Sequence, residues 1–295
     1  MDNPVTAARP RLTVVGPIFF EVFLPVLDPL PALGEERYVD SIPTGFGGEM
    51  NAASVAAALG VDVTLVHPSG GGMVDLAAEA LMHRLGIRSV SWPSRPDPFL
   101  SLVFSDGHDR AFLSAGDHAC LNHVPEIPVA PWVHVGGVKE AYTVPGRVAE
   151  VRAKGAKIAV SGCWSAPHLD LLGRERGQPF DLLVVNRREA EVATGLAAED
   201  AVARLTGASV DVVVTDGPLG AFGILDGAAV RVPALPVPVV DLTGAGDSFI
   251  TGLIVARLRG MSAPDALTFA ALVASRIVGI RGGTVIDPSL LADLR

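Results

Sequence analysis

Apolar positions fall in short unbroken runs, separated by stretches with a helical rhythm. Residues 12–16 read as a first buried strand and 61–67 as a second. Between them, 51–59 is an alanine-rich helical stretch stopped by Gly60. Residues 74–85 form another helical pattern, closed by Gly86. Further on come strand-like runs at 132–135, 158–160, 182–185 and 210–215, an extended run at 221–225, and a strand or extended run at 237–240. Helical patterns cover 148–154, 189–194, 247–258 and 263–278. Buried strands alternating with helices predict a doubly wound α/β sheet, mostly parallel, with helices on both faces.

Two stretches break that rhythm. Residues 17–43 are proline-rich and read as strands and turns. Residues 100–104 and 110–113 are apolar runs on either side of an Asp-Gly turn, the pattern of a β-hairpin. Together, segments of about 17–43 and 97–113 predict a small β lid standing off one large α/β domain.

Composition narrows the classes. The chain has 295 residues, 49% of them hydrophobic, which is enough for a substantial core. Its net charge is -9, and its only lysines are Lys139, Lys154 and Lys157, so it lacks the basic face of a nucleic-acid binder. Neither a signal-peptide pattern nor a long apolar span is present, which predicts a cytoplasmic protein with no membrane partner. Cys120 and Cys163 form no CxxC pair, and the seven histidines form no metal motif. Cys163 has no base placed beside it by sequence and reads as a small buried hydrophobe.

The most informative stretch is Asp241-Leu242-Thr243-Gly244-Ala245-Gly246-Asp247-Ser248-Phe249. Glycines at 244 and 246 permit a tight turn and expose backbone N–H groups, and the helix that follows adds its positive end. That is a cradle for a phosphoryl group, with the Asp247 carboxylate beside it as acceptor of a hydroxyl proton. The same residues equally fit a plain helix start, with Asp247 as its cap. The spacing matches neither a P-loop nor a dinucleotide fingerprint.

Four motifs in order give this stretch a context: Gly47-Gly48-Glu49-Met50-Asn51, Asn186-Arg187-Arg188-Glu189, Thr215-Asp216-Gly217-Pro218-Leu219-Gly220, and the Asp241–Phe249 run. In this the chain resembles the ribokinase-like, PfkB-type carbohydrate kinases over essentially residues 11–287. The resemblance implies transfer of the γ-phosphoryl group of ATP to a hydroxyl of a small sugar or sugar-like acceptor. A nucleoside kinase, or a non-catalytic sugar- or nucleotide-binding protein on the same fold, are the alternatives. It implies Asp247 as catalytic base, with Gly244, Ala245 and Gly246 as the anion hole. Asn186, Glu189, Thr215, Gly217, Gly220 and Gly282 would serve the nucleotide. Glu189 would hold Mg2+ through water, and Asp241 and Thr243 would border a monovalent cation such as K+. Glu21, Gly47, Gly48, Asn51 and Asp247 would bind the acceptor, and the lid would join a homodimer.

The acceptor side departs from the family pattern. Glu21 stands where an aspartate is usual. Gly70-Gly71-Gly72 replaces an acidic loop, predicting a flexible apolar segment. Ser161-Gly162-Cys163-Trp164-Ser165 replaces an Asp-x-Asn-x-Arg run, with Trp164 placed to stack or to pack. Phe99, Phe104 and Phe112 are candidates for the lid core or for covering the substrate.

Overall fold

The computed structural model describes residues 9–25, 31–105, 110–174, 179–206 and 210–295; the tail at 1–8 and the hairpin turn at 106–109 lie outside them. The larger sheet runs, edge to edge, β13 (Ala228–Val232), β12 (Ala221–Leu225), β11 (Asp211–Thr215), β10 (Leu182–Asn186), β9 (Lys157–Ser161), β8 (Trp132–Val135), β1 (Arg11–Val15), β4 (Asp62–Ser69) and β5 (Arg88–Pro93). From β11 to β5 every pairing is parallel, and β12 and β13 close one edge antiparallel. The smaller sheet has the order β3 (Thr44–Gly48), β2 (Ile18–Phe23), β6 (Leu100–Ser105), β7 (Arg110–Ala115).

Helices α1 (Glu49–Ala58), α2 (Met73–Leu85), α8 (Ala245–Leu258) and α9 (Ala263–Ile277) pack on one face of the large sheet. Helices α3 (Val138–Thr143), α4 (Pro145–Ala153), α5 (Ala166–Arg174), α6 (Arg187–Thr194) and α7 (Ala198–Leu205) pack on the other. Strand residues feed the two cores alternately: Leu12 and Val14 of β1 face α1, while Val15 joins the opposite core. Helix α1 is buried nearly all round, which suits its run of Ala, Val and Met rather than a one-sided stripe. The chain leaves β1 in one direction for β4 and β5, and in the other for β8 onward. The strand order therefore reverses between β1 and β8, where an open α/β sheet forms a crevice at the carboxyl ends of its strands.

The lid is a real second sheet, and its hairpin pairs β6 with β7 as expected. Its other two strands are β2 and β3, so the glycines at 45, 47 and 48 form a lid strand before they lead into α1. Of the three candidate phenylalanines Phe99, Phe104 and Phe112, only Phe99 is core, edge-on to Phe19 with ring centroids 5.4 Å apart; Phe104 and Phe112 are exposed.

Several expectations need correction. Residues 237–240 form no strand. Pro236 and Pro238 lack backbone donors, and Val240 N bonds to Val278 O at the end of α9 instead. The Gly70–Gly72 segment is pinned: a Cβ at Gly70 would lie 2.2 Å from Arg95 O, and Asp75 accepts from Gly70 N at 3.1 Å and Gly72 N at 3.0 Å. Strands β5 and β13 and helices α3, α5 and α7 are additions. Both strands lie at sheet edges, with several exposed positions each, so their apolar pattern is thin.

Candidate active site

Asp247 sits in the first turn of α8, not at its cap. The N-cap is Gly244, at φ 74°, where a side chain would be strained. A Cβ there would also lie 2.4 Å from Gly283 Cα, so the 241–247 and 282–284 segments touch backbone to backbone. Asp241 ties them: Oδ1 accepts from Thr243 N (2.8 Å) and Thr243 Oγ1 (2.7 Å), and Oδ2 accepts from Gly282 N at 2.9 Å. The two residues expected to border a monovalent cation are thus the ones that close this loop pair, with Thr243 and Gly282 buried. Ala245 N is turned back onto Leu242 O. The N–H groups of Gly244 and Gly246 make no hydrogen bond within the described residues, and nothing stands within 4 Å of a Cβ position at Gly246. The start of α8 therefore keeps an open, donor-rich mouth beside the Asp247 carboxylate.

Asn51 is buried in α1 and donates from Nδ2 to Asp247 Oδ2 at 2.8 Å. Because a carboxylate only accepts, that bond sets the amide's orientation, with Oδ1 toward Thr284 Oγ1 at 2.8 Å, a hydroxyl shared with Phe46 O at 2.7 Å. Asn51, a residue expected to bind the acceptor, has its amide on Asp247 in this structure. Thr284 is a residue the sequence reasoning missed. It lies just past Gly283, whose Cβ position would be 2.7 Å from the Asn51 amide, so a Gly-Gly-Thr run beside the loop was its only sequence signal.

At the ends of the strands glycines make room for acids. A Cβ at Gly16, after β1, would lie 2.6 Å from Glu49 Cγ, and one at Gly136, after β8, would lie 1.9 Å from Glu49 Oε1. A Cβ at Gly137 would meet Glu140 Oε2 at 2.6 Å, and one at Gly162, after β9, would meet Glu189 Oε2 at 2.1 Å. On the lid, a Cβ at Gly47 would lie 2.1 Å from Glu21 Oε1, and Glu21 is buried. Gly48, at φ 60°, packs against Pro17 O and starts α1. Burial, then the fields of Asp247 and Glu140, hold the Glu49 carboxyl well above the usual range. Burial also raises Glu140, and raises Glu189 with added effect from Asp247. Glu49 and Glu140 were not singled out from sequence. Glu49 stands inside the quoted Gly-Gly motif, and its burial at the switch crevice was the missing fact.

Asn186 and Glu189 cap each other. Asn186 Oδ1 accepts from Glu189 N at 2.8 Å, and Glu189 Oε2 accepts from Asn186 N at 2.9 Å. Glu189 is nonetheless buried, turned over Gly162 at the end of β9, rather than lying on a solvated first turn. Thr215 pairs in register with Asn186 across β10 and β11. Gly217 (φ 51°) and Gly220 (φ 95°) bracket a short helical turn, and a Cβ at Gly220 would lie 2.0 Å from Val232 O. Arg187, unremarked in the sequence, clamps this corner with bonds of 2.7 and 2.6 Å to Asp216, and others to Glu199.

Cys163 is not a buried hydrophobe. It is exposed, at φ 47°, with Sγ 3.2 Å from Gly136 O. Desolvation within the cleft and the fields of Asp247, Glu140, Glu49 and Glu189 push its thiol well above the usual range, which disfavours the nucleophilic thiolate. Trp164 is exposed under the Arg188 guanidinium, 4.6 Å from its ring centre. Among the described residues no group of three or more acids, histidines or cysteines could cage a metal ion, and no helix is long and apolar enough to cross a membrane.

The chain has counterparts among known proteins. A 1-phosphofructokinase of Haloferax volcanii is 29% identical over 282 residues, 88% of each chain. A bifunctional protein HldE of Caulobacter sp. strain K31 is 28% identical over 90% of this chain and 57% of its own length. The structure of Arabidopsis thaliana ribokinase complexed with ribose and ATP has the same fold, with a TM-score of 0.76 at 24% identity, covering 97% of this chain and 99% of that one. Adenosine kinase from Sinorhizobium meliloti matches with a TM-score of 0.78 at 16% identity, over 97% and 99%. The family model described as pfkB family carbohydrate kinase matches residues 10–289, a span holding both glycine-lined ends of the crevice; the chain belongs to that family of carbohydrate kinases.

Proposed function

We propose that the protein transfers the γ-phosphoryl group of ATP to a hydroxyl of an uncharged sugar or sugar-like acceptor, with Asp247 as general base. One observation carries this reading: the Asp247 carboxylate is held by Asn51 at the open N-terminal mouth of α8. A phosphoryl group at that mouth would meet the N–H groups of Gly244 and Gly246 and the helix dipole. A hydroxyl between it and Asp247 would lose its proton to Oδ1 or Oδ2 as it attacks. Asn51 fixes that carboxylate, and Thr284 fixes Asn51.

A magnesium ion suits a site that supplies few direct ligands, because Mg2+ keeps several waters and takes the rest from carboxylate and phosphate oxygens. Glu189, buried over Gly162 and electrostatically coupled to Asp247, is the residue to hold it through water. When bound, the ion neutralises charge on the triphosphate. On the nucleotide side, Asn186, Thr215, Gly217, Gly220 and Gly282 are the residues to receive ATP.

The acceptor class follows from charge. Asp247 lies at the proposed acceptor end beside the acids Glu21, Glu49 and Glu140, so an acceptor already carrying phosphate would bring its negative charge toward the Asp247 carboxylate. This favours a neutral polyhydroxyl compound over the phosphorylated sugar that the name of the Haloferax relative suggests. A nucleoside remains within the same charge class, and a test panel must include both.

The test is ADP release with Mg-ATP and a panel of neutral sugars, polyols, nucleosides, sugar acids and sugar phosphates. Asp247→Asn should lower kcat on the best acceptor by about 10²–10⁴ while nucleotide affinity stays close to wild type. Tight sugar binding with no ADP release from any acceptor would replace the kinase by a binding protein, and a best acceptor bearing phosphate would overturn the charge argument.

A further inference from the structure

Glu49 and His134 meet at the switch crevice between β1 and β8. Both are buried, at 8% and 1% exposure. His134 Nδ1 lies 3.2 Å from Ala159 O on the neighbouring strand β9. A carbonyl oxygen only accepts, so the hydrogen belongs on Nδ1. In a neutral imidazole that leaves Nε2 as a bare lone pair, and Nε2 lies 3.5 Å from Glu49 Oε2. An ionised carboxylate there would set lone pair against lone pair where water is excluded. Oε2 has no hydrogen-bond partner among the described residues. The other groups around Glu49 are Asp247 from α8, Glu140 from α3, the Cys163 thiol beyond β9, and the backbone at Gly16 and Gly136. None of them is a cation that would stabilise a negative charge on Glu49.

We propose that Glu49 is a neutral carboxylic acid that donates its proton to Nε2 of His134, and that it thereby keeps a second negative charge away from Asp247. The protonation state rests on this contact together with a neutral imidazole, which burial favours; its consequence for catalysis rests on the proposed role of Asp247 as base. Burial acts in the same direction on both partners, raising the carboxyl and lowering the imidazole to about 4. An ionised neighbour would make Asp247 hold a proton more tightly, so the base would work only at higher pH. Glu49 is thus a tuning and positioning residue. Its glycine bed at Gly16 and Gly136 and its imidazole partner hold the carboxyl in place.

The test has two readouts on the full-length protein. Carbon-13 and nitrogen-15 spectra of labelled wild-type protein, assigned through side-chain correlations, report the Glu49 carboxyl and the His134 tautomer directly. The expected result at neutral pH is a protonated Glu49 carboxyl carbon with His134 protonated on Nδ1 and bare at Nε2. A carboxylate signal for Glu49 at neutral pH overturns the proposal. This readout needs no turnover, so it can fail or succeed independently of the kinase reading. The second readout is the pH profile of Glu49→Gln. An amide N–H can replace the acid O–H toward Nε2, so the acid limb of the profile should stay where it is in the wild type, whatever the change in the height of kcat/KM. If Glu49 were ionised in the wild type, the same variant would shift that limb to lower pH, and this would also overturn the proposal.

Discussion

At the end of the cleft proposed for the phosphoryl group the protein presents backbone: Gly244 and Gly246 N–H groups at a helix start, braced by Gly283 and by Asp241 across two loops. At the end proposed for the acceptor it presents side chains: carboxyl groups of Glu21, Glu49 and Glu140 laid over Gly47, Gly16, Gly136 and Gly137. Both ends use glycine, for opposite reasons. In the first, glycine lets two backbones touch. In the second, it leaves a hole that a long acid fills. A backbone contact cannot move aside, whereas the end of a glutamate can. The phosphoryl end should therefore fail sharply when altered, and the acceptor end should adjust.

The largest effect that would break this contrast lies at Gly244. Alanine there takes on the strain of φ 74° and a Cβ 2.4 Å from Gly283 Cα. The strain is about 1–3 kcal/mol. Displacing the donors at the helix mouth should cost kcat a further ~10²–10³, as the loss of an oxyanion donor does elsewhere. Steady-state kinetics should show the loss in kcat, with the acceptor KM little changed. Gly244→Ala with near wild-type kcat would mean that the mouth of α8 does not stabilise the moving group.

Gly136→Ala probes the other end and should do less. Its Cβ would lie 1.9 Å from Glu49 Oε1, the far end of a flexible side chain. The protein should fold, Glu49 should swing aside, and the acceptor KM should rise about tenfold while nucleotide affinity holds. If this variant instead lost ATP binding, the two ends would not be separable as described.

The same contrast decides what was legible in the sequence. The phosphoryl end is continuous in the chain from Asp241 to Phe249, and its function lies in glycines whose spacing is itself the signal. The capping pair Asn186 and Glu189 was legible for the same reason, being three residues apart. The acceptor end is assembled from residues far apart in sequence: Glu49, His134, Glu140 and Cys163 meet only because the strand order reverses between β1 and β8. No local pattern marks His134 as the partner of Glu49. Thr284 escaped notice likewise, since its partner Asn51 lies 233 positions away. The parallel core strands were readable as unbroken apolar runs. The edge strands β5 and β13 were not, because exposed positions dilute their pattern.

The smallest effect is thermodynamic and concerns Glu49→Gln once more, now without any substrate. The wild-type carboxyl has a folded pKa raised above its ordinary 4.5, mainly by burial. A group raised in this way contributes its full stability below the unfolded value and loses it as pH rises through the folded value. Glutamine does not titrate. Chemical unfolding of the two proteins should therefore give the variant a growing advantage from pH 4.5 upward, levelling off once the wild-type acid would ionise in the folded state. His134 works the other way: its folded pKa of about 4 means stability is lost as pH falls below its ordinary 6.5. That loss occurs in both proteins and largely drops out of their difference. A stability difference that stays flat across this range would mean that Glu49 titrates alike in the folded and unfolded chains. The acceptor floor would then carry an ordinary ionised acid, and the distinction between a rigid backbone cradle and a proton-tuned side-chain floor would lose its electrostatic half.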